Sequence, residues 1–82
     1  MATAPQLEQV EDREAWALVC RLLDQLPVHE REVFLLYELQ EFPMWKVAQE
    51  LACPIQTAYS RLYRARSRML AKVERIEAAV ET

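Results

Sequence analysis

A chain of 82 residues, 52% apolar and at a formal charge of −3, makes one small domain and is too apolar to stay unfolded. It contains no Gly, and its four Pro all lie outside the long periodic runs, which disfavours a sheet built on glycine turns and favours helices joined by tight connections. No uncharged run approaches a membrane span and no signal-peptide pattern opens the chain. Cys20 and Cys53 stand apart without ligand-like spacing; two cysteines allow one disulfide, but they read better as two buried, reduced thiols of a cytoplasmic protein.

The charge is unevenly spread. Residues 1–54 hold ten acids and four bases and stand at −6, whereas residues 55–82 hold six bases and three acids and stand at +3. The net sign argues against a nucleic-acid binder, but the distribution gathers positive charge at one end of an acidic body. A solvated amphipathic helix would give the same pattern, so the elements must decide.

Residues 1–10 read as a flexible lead-in to a helical domain over 11–82. A first helix is expected over about 11–26, with Glu11, Asp12 and Glu14 at its positive end and an apolar stripe of Ala15, Trp16, Val19, Leu22, Leu23 and Leu26. Pro27 disfavours helical geometry in the residue before it and suits the start of a second helix, expected over about 28–41. That helix is apolar on several sides (Val33, Phe34, Leu36 and Tyr37, with Leu35 and Leu39 beside them), so it should touch more than one neighbour. Pro43 starts a short third helix, about 44–52, with Val47, Ala48 and Leu51 inward and Trp45, Lys46, Gln49 and Glu50 outward.

The last helix, about 55–80, carries a stripe of Ile55, Ala58, Leu62, Ala65, Met69, Val73, Ile76 and Val80 at steps of three or four residues. That is one buried face of a long helix. No Asp or Glu occurs between Leu51 and Val73, while Arg61, Arg64, Arg66, Arg68 and Lys72 do. A short connection through Cys53 and Pro54 joins the third helix to this one, forming a helix-turn-helix in which the second helix enters the major groove by its first turns. An ordinary helical hairpin would look similar.

With Leu62 centred on the buried face and ~100° per residue, Gln56, Thr57, Ser60, Tyr63, Arg64, Ser67 and Arg68 fall on the opposite half, flanked by Tyr59 and Arg61. Arg66 falls about 40° from Leu62 and is expected to run along the core edge to a carboxylate such as Glu32, Glu38 or Glu41. Gln56, Thr57 and Ser60 are early and short enough to meet base edges, since Gln pairs with adenine as Arg does with guanine. Free N–H groups near Ile55–Thr57 suit a phosphate. Arg64, Arg68 and Lys46 suit phosphates, and three or four such contacts imply a log–log salt slope of roughly −3 to −4.

The stretch LPVHEREVFLLYELQEFPMWKVAQELACPIQTAYSRLYRARSRML, residues 26–70, resembles region 4 of bacterial sigma-70 family RNA polymerase sigma factors, specifically the extracytoplasmic-function (ECF) group. The resemblance rests on Leu26-Pro27, Arg31, Val33-Phe34, Leu36, Ala48, Leu51, Pro54, Thr57, Ser60-Arg61-Leu62 and Arg64-Ala65-Arg66. It implies an all-α, four-helix domain whose last helix reads the promoter −35 element. It also implies docking on the β flap of RNA polymerase core, and an anti-sigma factor as a further partner. Carried over by position, the DNA-binding residues are Gln56, Thr57, Tyr59, Ser60, Arg61, Tyr63 and Arg64, to which Arg68 and Lys46 are added as phosphate contacts.

The chain departs from the pattern at three glycine positions, occupied by Glu41, Ala52 and Gln56. It also departs at two basic positions, occupied by Tyr37 and Tyr59, and Lys46-Val47-Ala48 stands for Glu-Ile-Ala. A complete sigma factor of this group also has region 2, which opens and reads the −10 element; no such segment lies in these 82 residues. The chain therefore reads either as one domain of a longer factor or as a stand-alone region-4-like protein.

Two other readings stay open. A LuxR-type helix-turn-helix regulator has the same layout, though the Leu-Pro start, Pro54 and SRLYRAR favour sigma. A helical protein-interaction module is the other, given an acidic first half with Trp16, Phe34, Tyr37, Met44 and Trp45. Catalysis is not expected: His29 is the only His and reads as an exposed side chain, no acid pair or thiol–imidazole pair is evident, and nothing calls for a cofactor, a metal, a membrane or a small-molecule substrate.

Overall fold

The computed structural model describes residues 10–81, with side chains from Arg13 to Val80. Of the lead-in expected over 1–10, residues 1–9 lie outside the described residues, and Val10 opens α1. The elements are α1 (Val10–Asp24), α2 (Val28–Phe34), α3 (Met44–Glu50) and α4 (Ile55–Glu81), with a π-helical turn (Leu35–Leu39) continuing α2. Among the described residues there is no strand, and no helix is long and apolar enough to cross a membrane. The fold is a small all-α domain containing a helix-turn-helix.

The helix ends follow from local chemistry. α1 closes with two tight i→i+3 bonds, Gln25 N–H to the Leu22 carbonyl and Leu26 N–H to that of Leu23. This shortens the helix relative to the expected end at Leu26. Pro27 and Pro43 are the N-caps of α2 and α3, not their first helical residues. Each has extended backbone, ψ 147° and 152°, and a cap needs that geometry and no N–H of its own.

The C-terminal ends of the second and third helices use left-handed residues in place of glycine. α3 ends in a Schellman motif: Cys53 N–H bonds the Ala48 carbonyl at 3.0 Å and Ala52 N–H that of Gln49 at 3.2 Å, with Ala52 at φ 54°. The π turn ends similarly, with Glu41 at φ 60° and Phe42 N–H bonded to the Leu36 carbonyl. These are two of the three positions where the family pattern has glycine, and the reason is steric: a Cβ in this region costs about 1–2 kcal/mol. Ala52→Gly is therefore expected to stabilise the domain by about 0.5–1 kcal/mol after the extra unfolded-state entropy of glycine is subtracted. Thermal denaturation should show a Tm higher by several degrees; a lower Tm would count against a left-handed Ala52.

The core lies along one side of α4. Ala58 and Leu62 pack with Val33 of α2 and Met44, Val47 and Ala48 of α3. Farther along, Ala65 packs with Leu23 of α1 and Leu26 just beyond its end. Phe34 touches both clusters, which explains why α2 is apolar on more than one side. Both fully enclosed α4 positions are alanine (Ala58 and Ala65, 0% exposed), so neighbouring helices approach its backbone closely.

Several expected core residues lie elsewhere. Of the stripe expected for the first helix, Leu22 and Leu23 on α1 and Leu26 just after it are buried, but Ala15 and Trp16 are exposed: only the C-terminal half of α1 reaches the buried clusters. Ile55 and Val80, at the two ends of the α4 stripe, are also exposed, because the neighbouring helices cover only its middle. Cys20 is exposed and Cys53 half-buried, both as free thiols. Cys20 therefore does not match the buried thiol expected, since it points off the packed side of α1.

Candidate nucleic-acid interface

The connection between α3 and α4 is four residues, Leu51 to Pro54, and the Schellman motif described above reverses the chain within it. Pro54 then supplies the carbonyl that receives Ala58 N–H at 3.1 Å, so α4 starts at once. Ala58 and Leu62 hold α4 against α3. Because the helix is fixed on that side, its opposite side is fixed outward.

Gln56, Tyr59, Ser60, Tyr63, Arg64 and Arg68 are exposed, while Thr57 and Arg61 are half-buried at the edges. Tyr59, Ser60, Tyr63 and Arg64 together line one shallow recess. Tyr63, Arg64, Ser67 and Arg68 line a second beside it. Both lie on the surface of one helix and enclose nothing, so the arrangement suits contact with an extended surface. Gln56 is one turn before Ser60 on the same side. Lys46 is not part of these recesses; it lies on α3 with its Nζ 4.5 Å from the centre of the Phe42 ring, a cation–π contact that steadies it near the turn.

The bases of α4 are not equivalent. Arg66 Nε donates to Glu38 Oε2 at 2.6 Å, and its guanidinium lies over the Tyr37 ring, 5.8 Å from the centroid. Of the three acids named for it from sequence, it takes Glu38; its side chain nevertheless stays about half exposed. Arg68 Nε donates to Glu30 Oε1 at 2.8 Å, and Lys72 Nζ donates to Gln25 Oε1 at 3.1 Å. Arg61 and Arg64 have no such acceptor among the described residues, so their charge is available.

Glu30 is the residue that sequence reasoning passed over. It is 7% exposed and is held by Arg68, the only ion-pair partner it has among the described residues. Its position was readable: Glu30, Val33, Phe34 and Tyr37 follow i, i+3, i+4 and i+7, the spacing of one helix face. A carboxylate in that stripe needs a cation from the facing helix. Arg31, also on α2, donates to the Asp24 carbonyl at 3.2 Å and so caps the end of α1. His29 stays exposed, 3.7 Å from Glu32.

The family model described as "Sigma-70, region 4" matches residues 17–69. A search of curated proteins and one of solved structures find no match to the chain. The matched residues run from α1 to Met69 of α4 and so include α3, the turn and the outward face of α4 from Gln56 to Arg68. The chain belongs to the sigma-70 region 4 family, the DNA-binding helix-turn-helix domain of sigma factors.

Proposed function

We propose that this domain reads the promoter −35 element as region 4 of an ECF-type sigma factor, acting in the cytoplasm. The observation that carries the reading is the acid-free outward face of α4 from Gln56 to Arg64, presented immediately after a four-residue turn. Gln56, Thr57, Ser60 and Arg64 meet base edges, Arg61 and Lys46 meet phosphates on either side, and Tyr59 and Tyr63 supply apolar contact. Arg68 contributes at the rim, since one of its nitrogens is committed to Glu30. The same reading has the domain docked on the β flap of RNA polymerase core and open to capture by an anti-sigma factor. Exposed Trp16, Val28 and Leu39, on α1, α2 and the π turn, are apolar side chains that such partners would cover.

Fluorescence anisotropy tests the DNA part. The chain is titrated with a duplex it selects from a randomised pool and with a scrambled version, at two salt concentrations. With Arg61 and Lys46 as phosphate contacts and Arg68 at the rim, the expected log–log slope is roughly −2 to −3, shallower than the sequence suggests because Arg68 is partly engaged. Arg64→Ala should weaken binding about tenfold, through a lost base or phosphate contact. Equal affinity for both duplexes, unchanged by Arg64→Ala, would remove α4 as the reading helix.

A further inference from the structure

We propose that Tyr59 and Tyr63 make α4 a reader of thymine methyl groups, so that this protein selects adjacent thymines in its DNA site. The inference rests on the DNA-reading function proposed above and names what part of that site recognises. Tyr59 is 52% exposed and Tyr63 73% exposed. They are four residues apart, and so are neighbours on the surface of the helix. Together with Ser60 and Arg64 they line one shallow recess, to which they contribute its two aromatic side chains. No side chain from elsewhere in the described fold lines it.

Two features of the surroundings say what covers these rings. First, no Asp or Glu occurs between Leu51 and Val73, and Arg64 stands in the same recess with its charge unpaired, so an anionic partner is favoured over a basic or neutral surface, and under the DNA-reading function that partner is a duplex. Second, two of the six bases of α4, Arg66 and Arg68, are ion-paired with Glu38 and Glu30, and a third, Lys72, keeps its charge but is turned toward Gln25 of the body. A reading face with so little free charge must draw more of its affinity from apolar contact. In the major groove the apolar group presented by a base edge is the 5-methyl of thymine. Two rings one turn apart suit two neighbouring methyls, while Ser60 and Arg64, each next to one of them in the chain, remain free to bond adjacent acceptors.

The test uses the whole 82-residue chain at low salt. A duplex pool randomised at its centre is passed through one cycle of binding and recovery repeated to convergence, and the best-bound duplex is remade with deoxyuridine in place of each central thymidine in turn. Removing a recognised methyl should weaken binding about fourfold, the equivalent of losing one buried methyl-sized group. Tyr59→Ala with Tyr63→Ala should erase that difference, whereas Tyr59→Phe with Tyr63→Phe should keep it. All four substitutions are at exposed positions, and circular dichroism verifies the fold of each variant. A best-bound duplex without central thymines, or one bound equally after deoxyuridine replacement, overturns methyl reading alone. A methyl difference that survives the double alanine variant also overturns it. Failure to bind any duplex overturns both this inference and the DNA-reading function, as would be found if the rings instead dock a protein.

Discussion

Leu62→Ala is expected to lower the stability of the domain by about 3 kcal/mol and its Tm by roughly 15 °C. Leu62 is 3% exposed and sits where α2, α3 and α4 converge, with Val33, Met44, Val47, Ala48 and Ala58 in the same buried cluster. Truncation removes three carbons from the centre of a thin core. The surrounding side chains relax poorly, because Val33 and Val47 are themselves fully enclosed and have no freedom to fill the space. In a domain whose whole stability is on the order of 5–10 kcal/mol, this is a large share. Thermal or urea denaturation measures it, with Leu70→Ala as the comparison. Leu70 is on the same helix but 59% exposed, and its loss should cost under about 0.5 kcal/mol. If the two variants melted together, the packing of α4 against α2 and α3 would be wrong.

Arg68→Ala should cost about 2 kcal/mol, more than Arg66→Ala. Both arginines are half exposed, but their partners differ: the Glu30 side chain is 9% exposed and that of Glu38 30%. Removing Arg68 leaves a desolvated carboxylate with no cation, which is the expensive outcome. Removing Arg66 frees a carboxylate that water reaches, and should cost about 0.5–1 kcal/mol. The double variant Arg68→Ala with Glu30→Gln should regain part of the loss, because the amide is cheaper to bury unpaired than the carboxylate. Equilibrium denaturation of the single and double variants checks this as a cycle. A larger loss for Arg66→Ala, or no recovery from Glu30→Gln, would contradict the Arg68–Glu30 pair.

That ranking reverses the one the sequence suggests, and the reversal shows where periodicity stops being informative. Stepping 100° per residue puts Arg66 beside the buried stripe and Arg68 on the outward half. It cannot show that a long side chain on the outward half reaches back to an acid on a neighbouring helix. The buried middle of α4 (Ala58, Leu62 and Ala65), the inward positions Val47 and Ala48, and the start of a helix at each of Pro27 and Pro43 were legible because each depends on local spacing alone; that these prolines cap their helices from outside was not. The π turn was not. An i→i+5 bond such as Gln40 N–H to the Leu35 carbonyl encloses one more residue than an α turn, and a template with period 3.6 passes over it. Trp16 failed for a third reason. Its spacing is correct for the α1 stripe, but only the far half of that helix meets the buried clusters, and sequence fixes faces without fixing where a neighbour ends. In the candidate site, the outward set from Gln56 to Arg64 was legible as a set; the recess shared by Tyr59, Ser60, Tyr63 and Arg64 depends on side-chain geometry that spacing does not give.

α4 has 27 residues and is thus about 40 Å long, nearly the whole of the longest dimension of the described fold, 42 Å. The axis of this one helix is therefore the axis about which the molecule tumbles most freely. Peptide N–H bonds in a helix lie along its axis, so those of α4 reorient only through the slow end-over-end motion. Those of any helix set across it also sense the faster spin. Nuclear spin relaxation of the backbone amides should accordingly fall into orientation classes, with α4 the slowest. Attachment of a duplex across its first turns would change that anisotropy as well as the overall rate.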